Sequence, residues 1–124
     1  MKLSQAEEKL MRYLWKLQKA YMKDLIQLYD DPKPATTTIA TLLKRMIDKN
    51  ILTYETNGKN RLYRPLVSRK AYFNKKMTTL VTDFFGNSKT QFASYFTESS
   101  NFTTEELEEL KSLIEEQIKK KVKK

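Results

Sequence analysis

The sequence has 124 residues, and its 24 Lys and Arg against 15 Asp and Glu give a formal net charge of +9. Such a balance favours a polyanionic partner such as nucleic acid. There is no Cys and no His, which removes thiolate nucleophiles, imidazole bases, Cys/His metal sites and disulfides. We therefore expect neither an enzyme nor a cofactor. No apolar run suffices for a signal peptide or a membrane span, which predicts a cytoplasmic protein without membrane insertion.

Two amphipathic helices are predicted first. Ser4 and Glu7 have the spacing of a capping box, which predicts a helix start. A buried stripe should follow, and then a second short helix from Met22 to Tyr29, which Asp30-Asp31-Pro32 ends. The two adjacent acids are typical of a solvated loop, not of a metal site. The predicted stripe of the first helix consists of Ala6, Leu10, Leu14 and Leu17, with Met11 and Trp15 beside it.

A third helix is predicted over Thr36 to Lys49, and its two faces differ in chemistry. One face is apolar at helical spacing, and the opposite face carries hydroxyls and cations. The apolar face holds Ile39, Leu42, Leu43, Met46 and Ile47, and the polar one holds Thr37, Thr41, Lys44, Arg45 and Asp48, with Thr38 on its flank.

A β-hairpin is predicted next. Ile51 to Thr56 is rich in β-forming residues, Asn57-Gly58 favours a tight turn, and Arg61 to Arg64 forms the returning strand. The tip is polar and basic through Lys59, Asn60 and Arg61.

Three helices followed by a hairpin form the order of an N-terminal winged helix-turn-helix, in a chain that is mainly α. The exposed face of the third helix fits the DNA major groove, where threonine methyls and hydroxyls and Lys or Arg contact base edges. We predict that Thr37, Thr38, Thr41 and Lys44, preceded by Thr36, read bases. We expect Arg45 and the hairpin tip to contact phosphates. Alternatively, Thr36 to Thr38 caps the helix, the cations are a solvated face, and the tip is a plain surface turn.

The second half of the sequence predicts a helical dimerisation region. Residues 1–67 form the predicted DNA-binding domain, and residues 68–124 hold more aromatic side chains than so short a segment can bury alone. Thr103-Thr104-Glu105-Glu106 predicts the start of a final helix, with a good cap and with acids at the positive end of the helix dipole. The predicted dimerisation residues are Tyr72, Phe73, Phe84, Phe85, Phe92, Phe96, Leu107, Leu110, Ile114 and Ile118.

Several segments resemble the penicillinase-repressor family of bacterial winged-helix repressors. Leu3 to Glu7, continuing through Met11 to Leu14-Trp15, is similar to the family's start. Thr38 to Met46 is similar to its recognition helix, and Lys49 to Leu52 to the exit from that helix. Tyr63 to Leu66 resembles the second strand of its wing, and Thr103 to Leu113 its final helix. The resemblance implies a homodimer that binds a palindromic DNA operator and blocks transcription.

The resemblance also implies release by proteolysis, triggered through a membrane sensor protease pathway. Alignment back from Glu105-Glu106-Leu107 places the family's scissile bond at Tyr95–Phe96, and the Asn101–Phe102 dipeptide falls six residues later. Ala40 stands where relatives commonly carry Arg, so the operator is expected to differ. The metal-responsive branch of the family uses Cys, which this sequence lacks.

Two other interpretations compete with a DNA-binding repressor. One is a winged-helix module that binds a protein partner through its aromatic second half and does not bind specific DNA. The other is a membrane-surface protein that uses Lys119 to Lys124, which the acidic residues of the same helix disfavour.

Overall fold

A computed structural model describes residues 2–123. Met1 and Lys124, at the outer ends of the two predicted domains and of the lysine cluster, lie outside the described residues. The predicted class is confirmed, because three helices and a two-stranded antiparallel hairpin precede three further helices. These elements are α1 (Gln5–Leu17), α2 (Met22–Gln27), α3 (Thr36–Asp48), β1 (Leu52–Asn57), β2 (Asn60–Pro65), α4 (Arg69–Phe85), α5 (Lys89–Ser99) and α6 (Thr104–Val122).

The chain divides into two compact units, Met1–Lys75 and Lys76–Lys124, and the division falls inside α4. Within residues 2–123, no helix is long and apolar enough to cross a membrane.

The core of the first unit lies between α1, α2, α3 and the hairpin. Its fully buried side chains are Leu10, Met11, Leu14, Leu25, Ile39, Leu43, Met46, Ile51 and Leu52. The prediction for α1 was wrong at its ends, because Ala6 and Leu17 are exposed. Leu3 and Glu7 are buried instead. The buried stripe consists of Leu3, Glu7, Leu10 and Leu14. The sequence did not predict this stripe, because a charged residue such as Glu7 is seldom part of a core.

Glu7 is buried because it serves as both a helix cap and an ion-pair partner. The predicted capping box is confirmed, since the Ser4 N–H donates to Glu7 Oε1 (2.8 Å) and the Glu7 N–H donates to Ser4 Oγ (3.2 Å). Lys49 Nζ donates to both carboxylate oxygens, at 2.9 and 3.0 Å. Burial alone would raise the pKa of Glu7, but the Ser4 N–H and the Lys49 ammonium outweigh it and lower that pKa. The residue that caps α3 at its C-terminus is thereby tied to the start of α1.

The hairpin is joined to the helical layer by backbone hydrogen bonds. Asn50, with φ of 60°, ends the third helical segment, and β1 pairs with β2 so that Tyr54 lies opposite Tyr63. The Ala20 N–H donates to the Tyr63 carbonyl (2.9 Å), and the Tyr63 N–H donates back to the Ala20 carbonyl (2.8 Å). The segment between α1 and α2 therefore fixes the inner edge of the hairpin.

The start of α4 packs on α1 within the first unit. Trp15 Nε1 donates to the Val67 carbonyl (2.8 Å), and the Tyr72 hydroxyl donates to Glu8 Oε2 (2.7 Å). The Trp15 and Tyr72 rings lie 5.6 Å apart. Burial and the contact with Glu8 raise the pKa of Tyr72 to about 12.

The second unit carries little buried surface. Helices α5 and α6 have no buried residue, and Val81 is the buried residue of α4. The aromatic side chains that contact one another there are Phe85, Phe92, Tyr95, Phe96 and Phe102, with ring centroids 5.4–6.2 Å apart. The predicted start of α6 is confirmed, because Thr103 and Glu106 form a capping box.

The Glu7–Lys49 pair predicts a stability change that depends on pH. We expect Lys49→Met to lower the free energy of unfolding at neutral pH by roughly 1–3 kcal/mol, because a buried carboxylate loses two charge-assisted hydrogen bonds. The loss should stay below that of a fully enclosed pair, since the Lys49 side chain is 36% exposed. Urea denaturation measures this change, and Lys16→Met at an exposed site is the control, which should shift stability by less than about 0.5 kcal/mol.

The sign of the pH effect follows from the lowered pKa of Glu7. The ionised carboxylate stabilises the fold above its ordinary pKa of 4.5, and this contribution is lost as the pH falls through the lower pKa of the folded state. The difference between the original chain and Lys49→Met should therefore shrink below pH 4.5. A difference that stays constant as the pH falls would contradict the assigned role of the pair.

Candidate nucleic-acid interface

Helix α3 separates its apolar and polar residues cleanly. Ile39, Leu42, Leu43 and Met46 are buried, and these anchor the helix to the core. All the residues predicted for DNA recognition on this helix are exposed, namely Thr36, Thr37, Thr38, Thr41, Lys44 and Arg45. The core thus orients the helix so that its hydroxyls and cations point outwards together.

No side chain caps the N-terminus of α3. The cap residue is Ala35, and its backbone carbonyl accepts from the Thr38 and Ile39 N–H groups. The alternative in which the threonines serve as the helix cap is therefore wrong. The Thr41 hydroxyl donates to the Thr37 carbonyl (2.9 Å), so its methyl group and its oxygen lone pairs are what it offers to a partner.

The hairpin ends in a two-residue turn. The register pairs Thr56 with Arg61 and Asn57 with Asn60, so Gly58 and Lys59 form the turn, and Gly58 has φ of 66°. Such a two-residue turn needs positive φ, which Gly adopts without strain. Asn57 Nδ2 donates to the Tyr21 hydroxyl (2.6 Å), which ties the tip to the N-cap of α2.

A cleft of about 810 Å³ lies between the start of α2, helix α3 and the hairpin. We call it the wing cleft. Four cationic side chains line it and no acidic one does, so it is suited to an anion. Its lining residues are Tyr21, Met22, Lys23, Ala40, Leu43, Lys44, Ile47, Tyr54, Lys59, Asn60, Arg61 and Tyr63.

The wing cleft brings together some of the predicted site residues. Lys44 of α3 meets the hairpin residues Lys59, Asn60 and Arg61 there. The threonines and Arg45 lie outside the lining, on the exposed face of α3.

Sequence reasoning did not assign most of the lining residues to a site, among them Tyr21, Lys23 and Tyr54. Strand alternation was the available signal for Tyr54, since it lies on the same face as Arg61 across the Asn57-Gly58 turn. No comparable signal marked Tyr21, which follows the break after α1. Among residues 2–123 no group of His, Cys, Asp or Glu side chains is arranged to hold a metal ion.

The residues predicted for dimerisation do not share one environment. Tyr72 packs on Trp15 in the first unit, whereas Phe85, Phe92 and Leu110 are half-buried in the second. The remaining predicted side chains are 43–75% exposed, namely Phe73, Phe84, Phe96, Leu107, Ile114 and Ile118. Tyr95 and Phe96, predicted to flank the cleaved bond, are exposed side chains within α5.

The fold and the basic wing cleft define a winged-helix protein of the kind that binds a polyanion. A model of the penicillinase repressor family matches residues 3–116, and the chain belongs to this family. The family is one of transcriptional repressors, not of enzymes.

The chain is also similar to a curated protein and to solved structures. The chain is 26% identical over 120 residues to the penicillinase repressor of Bacillus licheniformis, which covers 96% of this chain and 94% of that protein. Among solved structures, a CopR repressor is 32% identical over 55% of this chain and all of its own, with a TM-score of 0.45. A mutant MarR from E. coli is 14% identical and covers 94% of this chain and 78% of its own, with a TM-score of 0.50, and shares the fold.

Proposed function

We propose that this protein is a sequence-specific double-stranded DNA-binding repressor that acts as a homodimer on a palindromic operator. The observation that carries the proposal is the exposed threonine and lysine face of α3 beside the wing cleft, which four cations line and no acid enters. Membership of the penicillinase repressor family supports it.

Helix α3 is the proposed recognition helix. Its 13 residues span about 20 Å, which fits along the DNA major groove. Thr37, Thr38 and Thr41 offer methyl groups to thymine and oxygens to base amino groups, and Lys44 reaches guanine. Arg45 at the edge of the face contacts a phosphate. The first backbone N–H groups of α3, which no side chain caps, favour a second phosphate at this end, because a helix N-terminus attracts anions.

The hairpin is the proposed wing. Lys59, Asn60 and Arg61 lie on the cleft side, opposite Lys44. A strand of the DNA backbone in the wing cleft would therefore be contacted by cations from both α3 and the wing. Contacts of this kind fix the register of a protein on DNA but carry little sequence information.

The proposed dimerisation region is residues 68–124, which include the whole second unit. Its helix α6 has no buried residue, yet Leu107, Leu110, Ile114 and Ile118 follow one another along one side. An apolar stripe of this length is unusual on the surface of a monomer and marks an interaction site. A second copy of the chain is its proposed partner, and two-fold symmetry then places two recognition helices about 34 Å apart, one turn of DNA.

The family resemblance extends the proposal to the mode of release. Cleavage at Tyr95–Phe96, triggered through a membrane sensor protease pathway, would separate α6 from the DNA-binding domain and abolish dimerisation. The bond lies inside α5. A protease binds its substrate in an extended form, so cleavage requires α5 to unwind locally, and its lack of buried residues favours this opening.

The division of roles within the interface is testable on an operator obtained by selection from random DNA duplexes. We expect Lys44→Ala and Thr41→Ala to change the relative affinities for single-base variants of that operator, with losses of about 1–3 kcal/mol per lost base contact. Lys59→Ala should weaken binding to all sequences alike, because it contacts a phosphate. Fluorescence anisotropy titrations measure these affinities.

Arg12→Ala is the matched control, since this exposed cation of α1 does not line the wing cleft. It should change affinity less than Lys59→Ala. Equal losses on every sequence for Thr41→Ala, Lys44→Ala and Lys59→Ala would refute the division of roles.

The dimer interface is testable by placing a charge on the α6 stripe. Ile114→Glu should convert the dimer into a monomer at micromolar concentration, because a buried unpaired carboxylate destabilises an interface by several kcal/mol. Ser112→Glu adds the same charge on the opposite side of α6 and should leave the dimer intact. Sedimentation equilibrium measures the mass. A chain that is monomeric before any substitution and indifferent to DNA would instead support the interaction-module alternative.

A further inference from the structure

We infer that Tyr54 is a positioning residue that holds Arg61 in the wing cleft, and that Arg61 is therefore the principal DNA contact of the wing. This inference rests on the proposed function. The proposed function gives Tyr54 no role and treats the wing cations alike.

The register of the hairpin places Tyr54 and Arg61 on the same face. Tyr54 pairs with Tyr63, and the next pair on that face towards the tip is Thr56 with Arg61. Tyr54 and Arg61 are thus diagonal neighbours, which is within reach of an aromatic and a long side chain. The structure realises this contact, since Arg61 Cζ lies 4.3 Å from the centroid of the Tyr54 ring.

The Tyr54 ring is itself held in place. The centroid of the ring lies 5.8 Å from that of Tyr63. Tyr63 is buried, and both its backbone N–H and its carbonyl form hydrogen bonds with Ala20. Tyr54 also packs against the core cluster. The ring is therefore a platform fixed to the core of the first unit.

The Arg61 guanidinium over the Tyr54 ring keeps its hydrogen-bond donors available. A cation over an aromatic ring is attracted through the face of the ring, so the N–H groups at its edge remain free to bind phosphate oxygens in a fork. No salt bridge to Arg61 is found within residues 2–123, whereas Lys19, Lys33 and Lys49 each pair with a carboxylate. Arg61 is thus held in place without being neutralised.

The other wing cations lack this combination. Lys59 lies in the turn and has no ring contact in the described chain. Arg64 pairs with Thr53 on the opposite face of the hairpin and does not line the wing cleft. A side chain that is ordered before binding loses less conformational entropy when it meets a phosphate. Arg61 is therefore expected to contribute more to binding than Lys59 or Arg64.

The test is a double-mutant cycle on DNA affinity with the full chain and a mixed-sequence duplex at low salt. Tyr54→Leu should weaken binding about two- to fivefold, the effect of losing an exposed cation–π contact. In the Arg61→Ala background the same change should have almost no effect. Tyr54→Phe keeps the ring face and should bind like the original chain, which a role of the Tyr54 hydroxyl would not explain. The lack of effect in the Arg61→Ala background is what a role of the core contact alone would not explain.

Arg61→Ala should weaken binding more than the matched control Arg64→Ala, and it should lower the slope of log affinity against log salt by about 0.9. If Tyr54→Leu fails to fold, Arg61→Lys replaces it: this variant keeps the charge but loses the planar fork, and it should weaken binding while Lys59→Arg does not.

The results separate the two claims. An equal loss from Tyr54→Leu with and without Arg61, or equal losses from Arg61→Ala and Arg64→Ala, overturns the inference and leaves the proposed function intact. If the unsubstituted chain binds no duplex, both fall.

Discussion

The packing of α3 against the core is the constraint on which the rest of the first unit depends. Ile39, Leu43 and Met46 are buried almost completely, so the helix has one rotational setting in which its threonines and Lys44 face outwards. A partly buried ion pair between Lys49 and Glu7 fixes its C-terminal end to α1. The burial of apolar side chains, which is non-directional, sets the face, and the directional ion pair fixes the end of the helix.

Directional hydrogen bonds also hold the wing in one position. An isolated two-stranded hairpin is marginally stable in water. Here the backbone pairing of Ala20 with Tyr63 and the Asn57–Tyr21 bond attach it to the helical layer. The wing cleft is therefore present before any DNA arrives. The second unit is built in the opposite way, because many of its large apolar side chains stay exposed within one chain, which favours the proposed second copy as the partner that would bury them.

The sequence predicted those features that are decided locally. The capping box at Ser4, the helix start at Thr103, the Asn-Gly turn and the two faces of α3 each depend on residues a few positions apart, and the structure confirms them. It did not predict features decided by distant neighbours. Glu7 is buried because its partner lies 42 positions away, and a charged residue on a buried stripe has no local signature.

The stoichiometry of the protein on DNA tests the central claim most directly. Native mass spectrometry of the complex with a duplex selected from a random pool gives the number of chains, and the selected sequence gives the half-sites. The account predicts two chains on one duplex, with half-sites in inverted repeat about one helical turn apart. One chain per duplex, or a selected sequence without inverted symmetry, would contradict it.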